Sequence, residues 1–598
     1  MMPKNIFTLF ILIASTIPCH GAQISTLSDF YNFLLQRKSD RKSNIQKTLA
    51  RIHKSNLTDR VLGEVVKFYE QRNFEPFWFV EGRLSLRGSY ALEALKNAES
   101  EGLNPLNYAQ ALGLFPQKKR QKKGKPQKSL PPVKGEKDEA LREIYFCTCV
   151  FRYMIDVTGG RIPHTLMMPI TTEKTIHKSP ADVTLTMNER DETGEWIKRF
   201  GPRNSHYALL KRLLQKLQEQ KENGEAWPPF QSSQVLKLGD SGNAVKDLCS
   251  VLIKQGYLEP EASTQTYDFA VESALRTFQI RNHLPVTGVV SAETQKALNV
   301  SLDQRIRQVV LNMERARWIP DTLPETRVWV NIPSYELEFY RDNILMGKFK
   351  TCVGEATSPT PQMHTTMYAV RFNPSWTIPR RIVRKKFIPL IQKDPDYLKN
   401  NGYLLLDIKT RVIVDRDSLD MADINLATFP FIIRQPPGRK NALGQIRFSL
   451  HNKRHIHIHD TQHKSLFAKN TRTFSAGCIR VQNPEKLAYL VLNTPDRWSP
   501  SVIAKLIDTD LLQDVTLPQP VPVYVVYHTI WFDDKGMEKF TSDVYKNDEK
   551  LDFALHTYES HSHNIDIRTL GTHKNSQEVA EKILEQGIPS NITETAAK

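Results

Sequence analysis

The sequence predicts a multidomain α+β protein: a helical first half, a small three-helix bundle near the middle, and a mainly β second half with helical insertions. Three observations carry this. The chain has 598 residues, which at roughly 150 residues per domain leaves room for about four domains. Apolar residues recur at helical spacing as far as about residue 300 and alternate after it. Hydrophobic residues make up 40% and charged residues 25%, so packed cores are expected.

The elements follow in order. The opening "MMPKNIFTLFILIASTIPCHGAQ" sets Lys4 before an apolar run from Ile6 to Ile17 and ends on Pro18, Cys19, Gly21 and Ala22. The run is too short to span a bilayer and finishes in small residues, so residues 1–22 are expected to be a secretory signal peptide. Residues 23–232 read as a helical domain. It is interrupted at 116–139 by "PQKKRQKKGKPQKSLPPVKGEKDE", rich in Lys and Pro and almost without apolar residues. Such a segment cannot bury enough surface to order itself, and a disordered insertion is expected. Its charge would also suit contact with an anionic membrane surface.

Residues 233–300 hold Val245, Leu248, Cys249 and Leu252, then Val271, Ala274, Leu275 and Phe278, each set at i, i+3, i+4, i+7. Asp240 and Ser291 are candidate N-caps, and three short helices are expected. From 325 to 550 the pattern changes. "RVWVNIPSYELEFYRDNILMGKFKTCVG" alternates like antiparallel strands, and further strand-like runs stand at "TMYAVRF", "TRVIV", "FIIRQ", "IRFSL" and "HIHIH". "VPVYVVYHTIWFD" reads as a final strand or hairpin, and the polar tail 551–598 is expected to be disordered.

The chain has 82 Lys+Arg against 65 Asp+Glu, a net charge of +17. A basic surface alone fits nucleic acid, anionic lipid or an acidic polymer. Here the excess is clustered in the spacer and the start of the chain is an export signal, so nucleic acid is a poor fit. Once Cys19 leaves with the signal, Cys147, Cys149, Cys249, Cys352 and Cys478 remain. They are odd in number and scattered, so no disulfide framework is expected. Cys147 and Cys149 would point apart on their helix and are expected to be buried.

Chemistry concentrates in "HIHIHDTQHKSLFAKNTRTFSAGCIR". On an extended strand His455, His457 and His459 would share one face, and three imidazoles could ligate zinc with Asp460 or Cys478. The other reading needs only His459 and Cys478: an imidazole takes the thiol proton and the sulfur attacks a carbonyl. Gly477 lets backbone approach the reacting carbonyl, and amides around Gly477 and Cys478 could form an oxyanion hole. Ser475 would hold the loop, and Arg480 could grip a carboxylate through its planar fork. A merely buried cysteine would not need Gly, Ser and Arg around it, so nucleophile and base is the preferred reading. No metal or organic cofactor is called for.

The motifs also carry a resemblance. "LKLGDSGNAVKDL" with "FQIRNHLPVTGVVSAETQKALN" resembles the peptidoglycan-binding module of bacterial wall enzymes. His459-Asp460-Thr461 followed by Ser475-Ala476-Gly477-Cys478-Ile479-Arg480 resembles the signature of the L,D-transpeptidase (YkuD-type) catalytic domain. "RFNPSWTIPRRI", "DPDYLKNNGYLLLD", "RQPPGRKNALGQIRF" and "SAGCIRVQNPEKLA" look like the large Gram-negative subfamily typified by YcbB, and the likeness runs from about residue 55 to 550.

The resemblance implies a scaffold domain at 23–232, a peptidoglycan-binding-like domain at 233–300, and a catalytic domain at 325–550. A capping insertion would occupy about 376–445, including Trp376. It implies a periplasmic enzyme of a Gram-negative bacterium, carbapenem-sensitive, with Cys478 as nucleophile and His459 as acid/base. Its partners would be a tetrapeptide donor stem and the diaminopimelate amine of an acceptor stem, joined in a 3→3 crosslink, together with other wall synthases. His457 stands where the subfamily commonly has Tyr, so His457, Asp460 and Thr461 are assigned to supporting or substrate contacts. An L,D-carboxypeptidase, a protein-to-wall acyl transferase and a non-catalytic wall-binding scaffold are the alternatives.

Overall fold

The computed structural model describes residues 40–49, 60–109, 136–168, 170–171, 179–186, 194–198, 200–262, 265–415 and 428–562. The signal-peptide expectation at 1–22 lies outside them, as do residues 116–135 of the Lys-rich insertion. Residues 136–139, expected to be disordered with that insertion, instead open helix α1 (Glu136–Gly159). All four of those residues are charged, which masked the start of the helix, but Ala140 and Ile144 then begin its buried stripe.

α1 is the spine of the helical domain. Its apolar face packs Ile144, Phe146, Val150, Phe151 and Met154 against Phe68, Tyr69, Phe77 and Trp78. Cys147 and Cys149 are both buried there. The buried Glu143 carboxylate accepts from the amides of Phe77, Trp78 and Phe79 and from the Tyr69 hydroxyl, which binds the aromatic turn to the helix. A buried charge persists only with such satisfaction.

The small bundle has helices α2 (Asn243–Lys254), α3 (Phe269–Arg281) and α4 (Ala292–Leu298) around Val245, Leu248, Leu252, Leu275 and Phe278. Ser291 caps α4 by accepting from the Thr294 amide, as its position suggested. Asp240 does not cap α2; it accepts from Lys237 N, and Gly242 holds the N-cap at φ +120°. Helix α5 (Leu302–Ala316) then leads into the β half.

That half is built on β1 (Arg327–Asn331), β2 (Glu336–Arg341), β3 (Ile344–Gly354), β4 (Met363–Phe372), β5 (Ile446–Leu450), β6 (Ile458–His459), β7 (Ile479–Val481) and β8 (Gln513–Val526). Their hydrogen-bonded order is β5-β6-β7-β3-β2-β1-β8-β4, and β4 pairs back with β5 to close the ring. The barrel interior is filled by alternating residues, among them Val328, Val330, Leu337, Phe339, Val353, Val370, Phe448, Ile458, Ile479 and Val523. Side chains one step along each strand therefore face outward. β6–β7 and β1–β8 are parallel, so the chain leaves β6 and loops back to lay β7 beside it.

Between β4 and β5 stands a small unit with its own core of Ile378, Val383, Phe387, Ile391, Leu398, Leu405 and Ile433. Its three-stranded sheet pairs Phe431–Gln435 with Trp376–Thr377 and Leu404–Asp407. The "TRVIV" run expected there as a strand forms only an isolated bridge, Leu406 to Ile413.

Two expectations fail. The "HIHIH" strand shrinks to Ile458–His459, because His455 turns at φ +55°. The tail begun at 551 is not disordered at its start: α6 (Asn547–Ser562) buries Leu551, Ala554, Leu555 and Tyr558 against Ile162, Met168, Leu311 and Trp318. Those four residues follow the i, i+3, i+4, i+7 rule, a signal hidden by the polar residues between them. Residues 563–598 lie outside the described residues.

Candidate active site

The site is on the outer wall of the barrel, where β5, β6, β7 and β3 run side by side. Register fixes who is opposite whom: Arg447 on β5 faces His459 on β6, His459 faces Arg480 on β7, and Arg480 faces Cys352 on β3. Cys478 lies two residues before Arg480 and shares its face. The Ile479 amide donates to the His457 carbonyl at 3.0 Å, which sets Cys478 beside His457 and diagonal to His459. The thiol's own hydrogen-bond partner is the His455 carbonyl at 3.7 Å, not the His459 ring. Diagonal neighbours on one sheet face stand about 7–8 Å apart at Cα, within reach of an imidazole and a thiol that turn toward a substrate.

His459 is buried, 5% exposed. Its Nδ1 donates to the Asp460 carbonyl at 2.5 Å, so the neutral ring carries its lone pair on Nε2. Burial, and then the nearby Arg480 charge, push its pKa down to about 4, against the smaller opposing pull of Asp460 and Leu443. His457 is driven to about 3 by burial and by Arg447, and its Nδ1 accepts from the Leu450 amide at 3.4 Å. The Cys478 thiol is pushed up by burial, opposed by the His457 backbone, Arg447 and Arg480. At neutral pH the resting site is thus a protonated thiol beside neutral imidazoles.

The loop that presents Cys478 is held from several sides. Ser475 Oγ donates to the Cys478 carbonyl and accepts from the Gly477 amide at 3.1 Å. The Gly477 carbonyl accepts from Thr360 Oγ1 at 2.9 Å. Gly477 sits at φ +117°, a conformation that a side chain would strain. Of the two amides considered as oxyanion donors, that of Gly477 is taken by Ser475, whereas that of Cys478 has no partner among the described residues. Arg381, from the inserted unit, donates to the Ala476 carbonyl at 3.2 Å and to Ser358 Oγ at 2.8 Å. Neither Arg381 nor Thr360 was singled out in the sequence, since both meet the loop from about a hundred residues away.

The other expected residues stand further out. Asp460 is buried, with its carboxylate on Gln445 N and Lys464. Gly444 at φ +62° makes room for it. The buried Thr461 accepts from the His463 amide at 3.2 Å. Trp376 packs against the core of the inserted unit. His455 is exposed and turned off the strand. Among the described residues no group of three His, Cys, Asp or Glu is placed to hold a metal ion.

Comparison with known proteins bears on the segment that holds this site. Residues 325–513 match the family described as L,D-transpeptidase catalytic domain, residues 63–214 a scaffold domain, and residues 241–298 the "Putative peptidoglycan binding domain". The chain is 29% identical over 304 residues to the "Putative L,D-transpeptidase" of Haemophilus influenzae; the match covers 50% of this chain and 59% of that protein's length. Among solved structures it is similar to an L,D-transpeptidase of Xylanimonas cellulosilytica at 13% identity and a TM-score of 0.17, covering 50% of this chain and 99% of that one. It is also similar to the Ldtfm-avibactam carbamoyl enzyme at 12% identity and 0.17, covering 46% and 87%. Scores that low carry no weight for the fold. The outward-facing cysteine and histidine lie inside the segment that matches the L,D-transpeptidase catalytic domain, on one chain with segments that match a scaffold domain and a peptidoglycan-binding domain.

Proposed function

We propose that this chain is a peptidoglycan L,D-transpeptidase of the YcbB-like kind, acting in the periplasm and forming 3→3 crosslinks through a thioester on Cys478. The observation that carries the reading is the shared outer face of Cys478 and His459 on adjacent parallel strands, with the Cys478 amide unpaired among the described residues. In the first half-reaction the Cys478 proton passes to Nε2 of His459 as sulfur attacks the carbonyl of the donor's third residue. The oxyanion draws on the Cys478 amide. Collapse breaks the peptide bond, and the departing D-Ala amine takes the proton from His459. In the second, the side-chain amine of an acceptor diaminopimelate attacks the thioester, loses its proton to His459, and expels the thiolate, which is reprotonated. The module at 241–298 would keep the enzyme on its polymer.

Export rests on the leader sequence at 1–22, and no helix among the described residues is long and apolar enough to cross a membrane. Water as acceptor would give an L,D-carboxypeptidase, and a protein amine would give wall attachment, with the same Cys478.

The test is intact-protein mass spectrometry after mixing with a carbapenem, followed by muropeptide analysis with purified tetrapeptide stems. One covalent adduct on wild type and none on Cys478→Ala, with 3→3 dimers formed, is the expected result. Adduct formation with tripeptide but no dimer would select the carboxypeptidase. No adduct and no product from folded protein would leave only a wall-binding role.

A further inference from the structure

Two cations next to Cys478 form no ion pair among the described residues. Arg447 and Arg480 flank His459 on either side in the strand register, and all three share the face that carries Cys478. Arg447 makes one hydrogen bond, from Nη2 to Ser449 Oγ at 3.2 Å. The Arg480 side chain makes none among the described residues, and there the Nε of each is buried without a partner. Neither pairs with a carboxylate among the described residues. Two carboxylates of this region are committed elsewhere: Asp514 is held by Arg371, and Asp460 by Lys464 and Gln445 N.

A half-buried guanidinium with an unmade buried bond is costly to keep. Arg371 stands next to Arg447 in the register, and its own charge is paired with Asp514. Both Arg447 and Arg480 act electrostatically on Cys478. The arrangement is what a site for an anion needs: paired planar donors, partly desolvated, of one sign.

We propose that Arg447 and Arg480 together bind the C-terminal carboxylate of the donor stem, and so confine acylation to the peptide bond one residue from its end. This rests on the reaction proposed above and names the group that orients its donor. The distances agree. Arg480 is two residues from Cys478 along the strand, about 6.6 Å at the usual rise. The terminal carboxylate lies one residue beyond the attacked carbonyl, about 3.8 Å by the Cα repeat. A guanidinium on its long stem closes the remainder. The pair thus measures the stem: a longer peptide would put an amide where the carboxylate belongs and leave both guanidiniums unpaired. The same contact places the D-Ala nitrogen toward His459, between the two arginines.

The experiment compares full-length wild type, Arg447→Gln and Arg480→Gln on two tetrapeptide donors that differ only at the end, one a free acid and one a carboxamide. Wild type is expected to lose about 10- to 100-fold in kcat/KM on the carboxamide, the range for a lost hydrogen-bonded charge. Each variant should lose a similar factor on the acid and little more on the carboxamide, because the partner is already gone. Arg447→Lys should recover part of the loss. Equal rates for acid and amide in wild type would overturn the proposal, as would losses in the variants that simply multiply with the loss from the amide. The second result is what thiol activation or folding by the arginines would give. If wild type processes neither donor, the transpeptidase reading fails first. Equilibrium binding of both donors to Cys478→Ala then decides the arginines separately, and equal affinities overturn the assignment.

Discussion

His459 gives its Nδ1 proton to the carbonyl of Asp460, its own neighbour in the chain, at 2.5 Å. That partner is a carbonyl, not a carboxylate, and the pull of Asp460 and Leu443 toward an imidazolium is outweighed by burial and Arg480, which hold the pKa near 4. The site therefore works as a neutral pair rather than a preformed thiolate and imidazolium. Protonation of His459, and with it loss of the base, waits until the pH falls to about 4. Cys478, raised above the usual thiol range, stays protonated through neutrality. The acid limb of kcat/KM is expected near pH 4 rather than 6.5, and iodoacetamide alkylation of Cys478 should stay slow until alkaline pH. Fast alkylation at pH 5 would mean an ion pair and contradict this.

The same depression acts on stability. Between pH 6.5 and 4 the unfolded chain protonates His459 while the folded chain does not, so stability present above 6.5 is lost as the pH falls. His206, His283 and His364 are likewise held near 4 by burial, and add to the same slope. Denaturant melts should show a midpoint clearly lower at pH 5 than at pH 7. A midpoint that rises on acidification would refute the assignment.

Arg381 is exposed, yet one guanidinium holds both the Ala476 carbonyl and Ser358 Oγ, tying the inserted unit to the cysteine loop. Arg381→Ala is expected to cut kcat/KM about tenfold, the effect of about 1.4 kcal/mol of lost positioning. An exposed residue away from both cores should leave the thermal midpoint nearly unchanged. Unchanged kinetics would show that the loop needs no support from the inserted unit.

How far the sequence revealed this molecule depended on the range of the interactions. The alternation in "IRFSL" marked a strand, and Gly477 marked a backbone free to come close; these are local signals, and the structure has them. The pairing of Arg447 with His459, or of Arg381 with Ala476, has no local signature, because register and insertion are set by packing. "HIHIH" shows the opposite failure. Its alternation is a fine strand pattern, but the turn at His455 ends the pairing before a third histidine can join the face.

Gly444 carries a second test of how the histidine is held. It sits at φ +62°, and a Cβ there would fall onto the Asp460 carboxylate. Asp460 in turn holds His459 through its carbonyl. Gly444→Ala should cost about 1–2 kcal/mol for the left-handed backbone alone, with more from the clash, and should slow acylation of Cys478. Pairing it with Asp460→Ala should recover part of the stability by removing the obstruction. Additive losses in the double variant would show that the two do not meet.

Helix α6 fastens the helical domain to the C-terminal part of the described chain. The Tyr558 hydroxyl donates to Asp156 Oδ1 at 3.0 Å, Tyr108 donates to Oδ2 of the same carboxylate at 2.8 Å, and Arg161 reaches Glu559 at 2.6 Å. Asp156 is buried and raised to about 6 by desolvation, so it depends on both phenols for satisfaction. Tyr558→Phe should cost about 1–2 kcal/mol, the penalty of leaving a buried acceptor short of a donor. Leu555→Ala should cost about 2–4 kcal/mol as a cavity among Ile162, Leu311 and Trp318. A chain ended after residue 546 loses that whole apolar face together with the Asp548 partner of the buried Arg315. Its helical domain and α5 should then melt well below the barrel, giving two calorimetric transitions in place of a joined one. A single transition at the full-length midpoint would mean that α6 only rests on the surface that it covers.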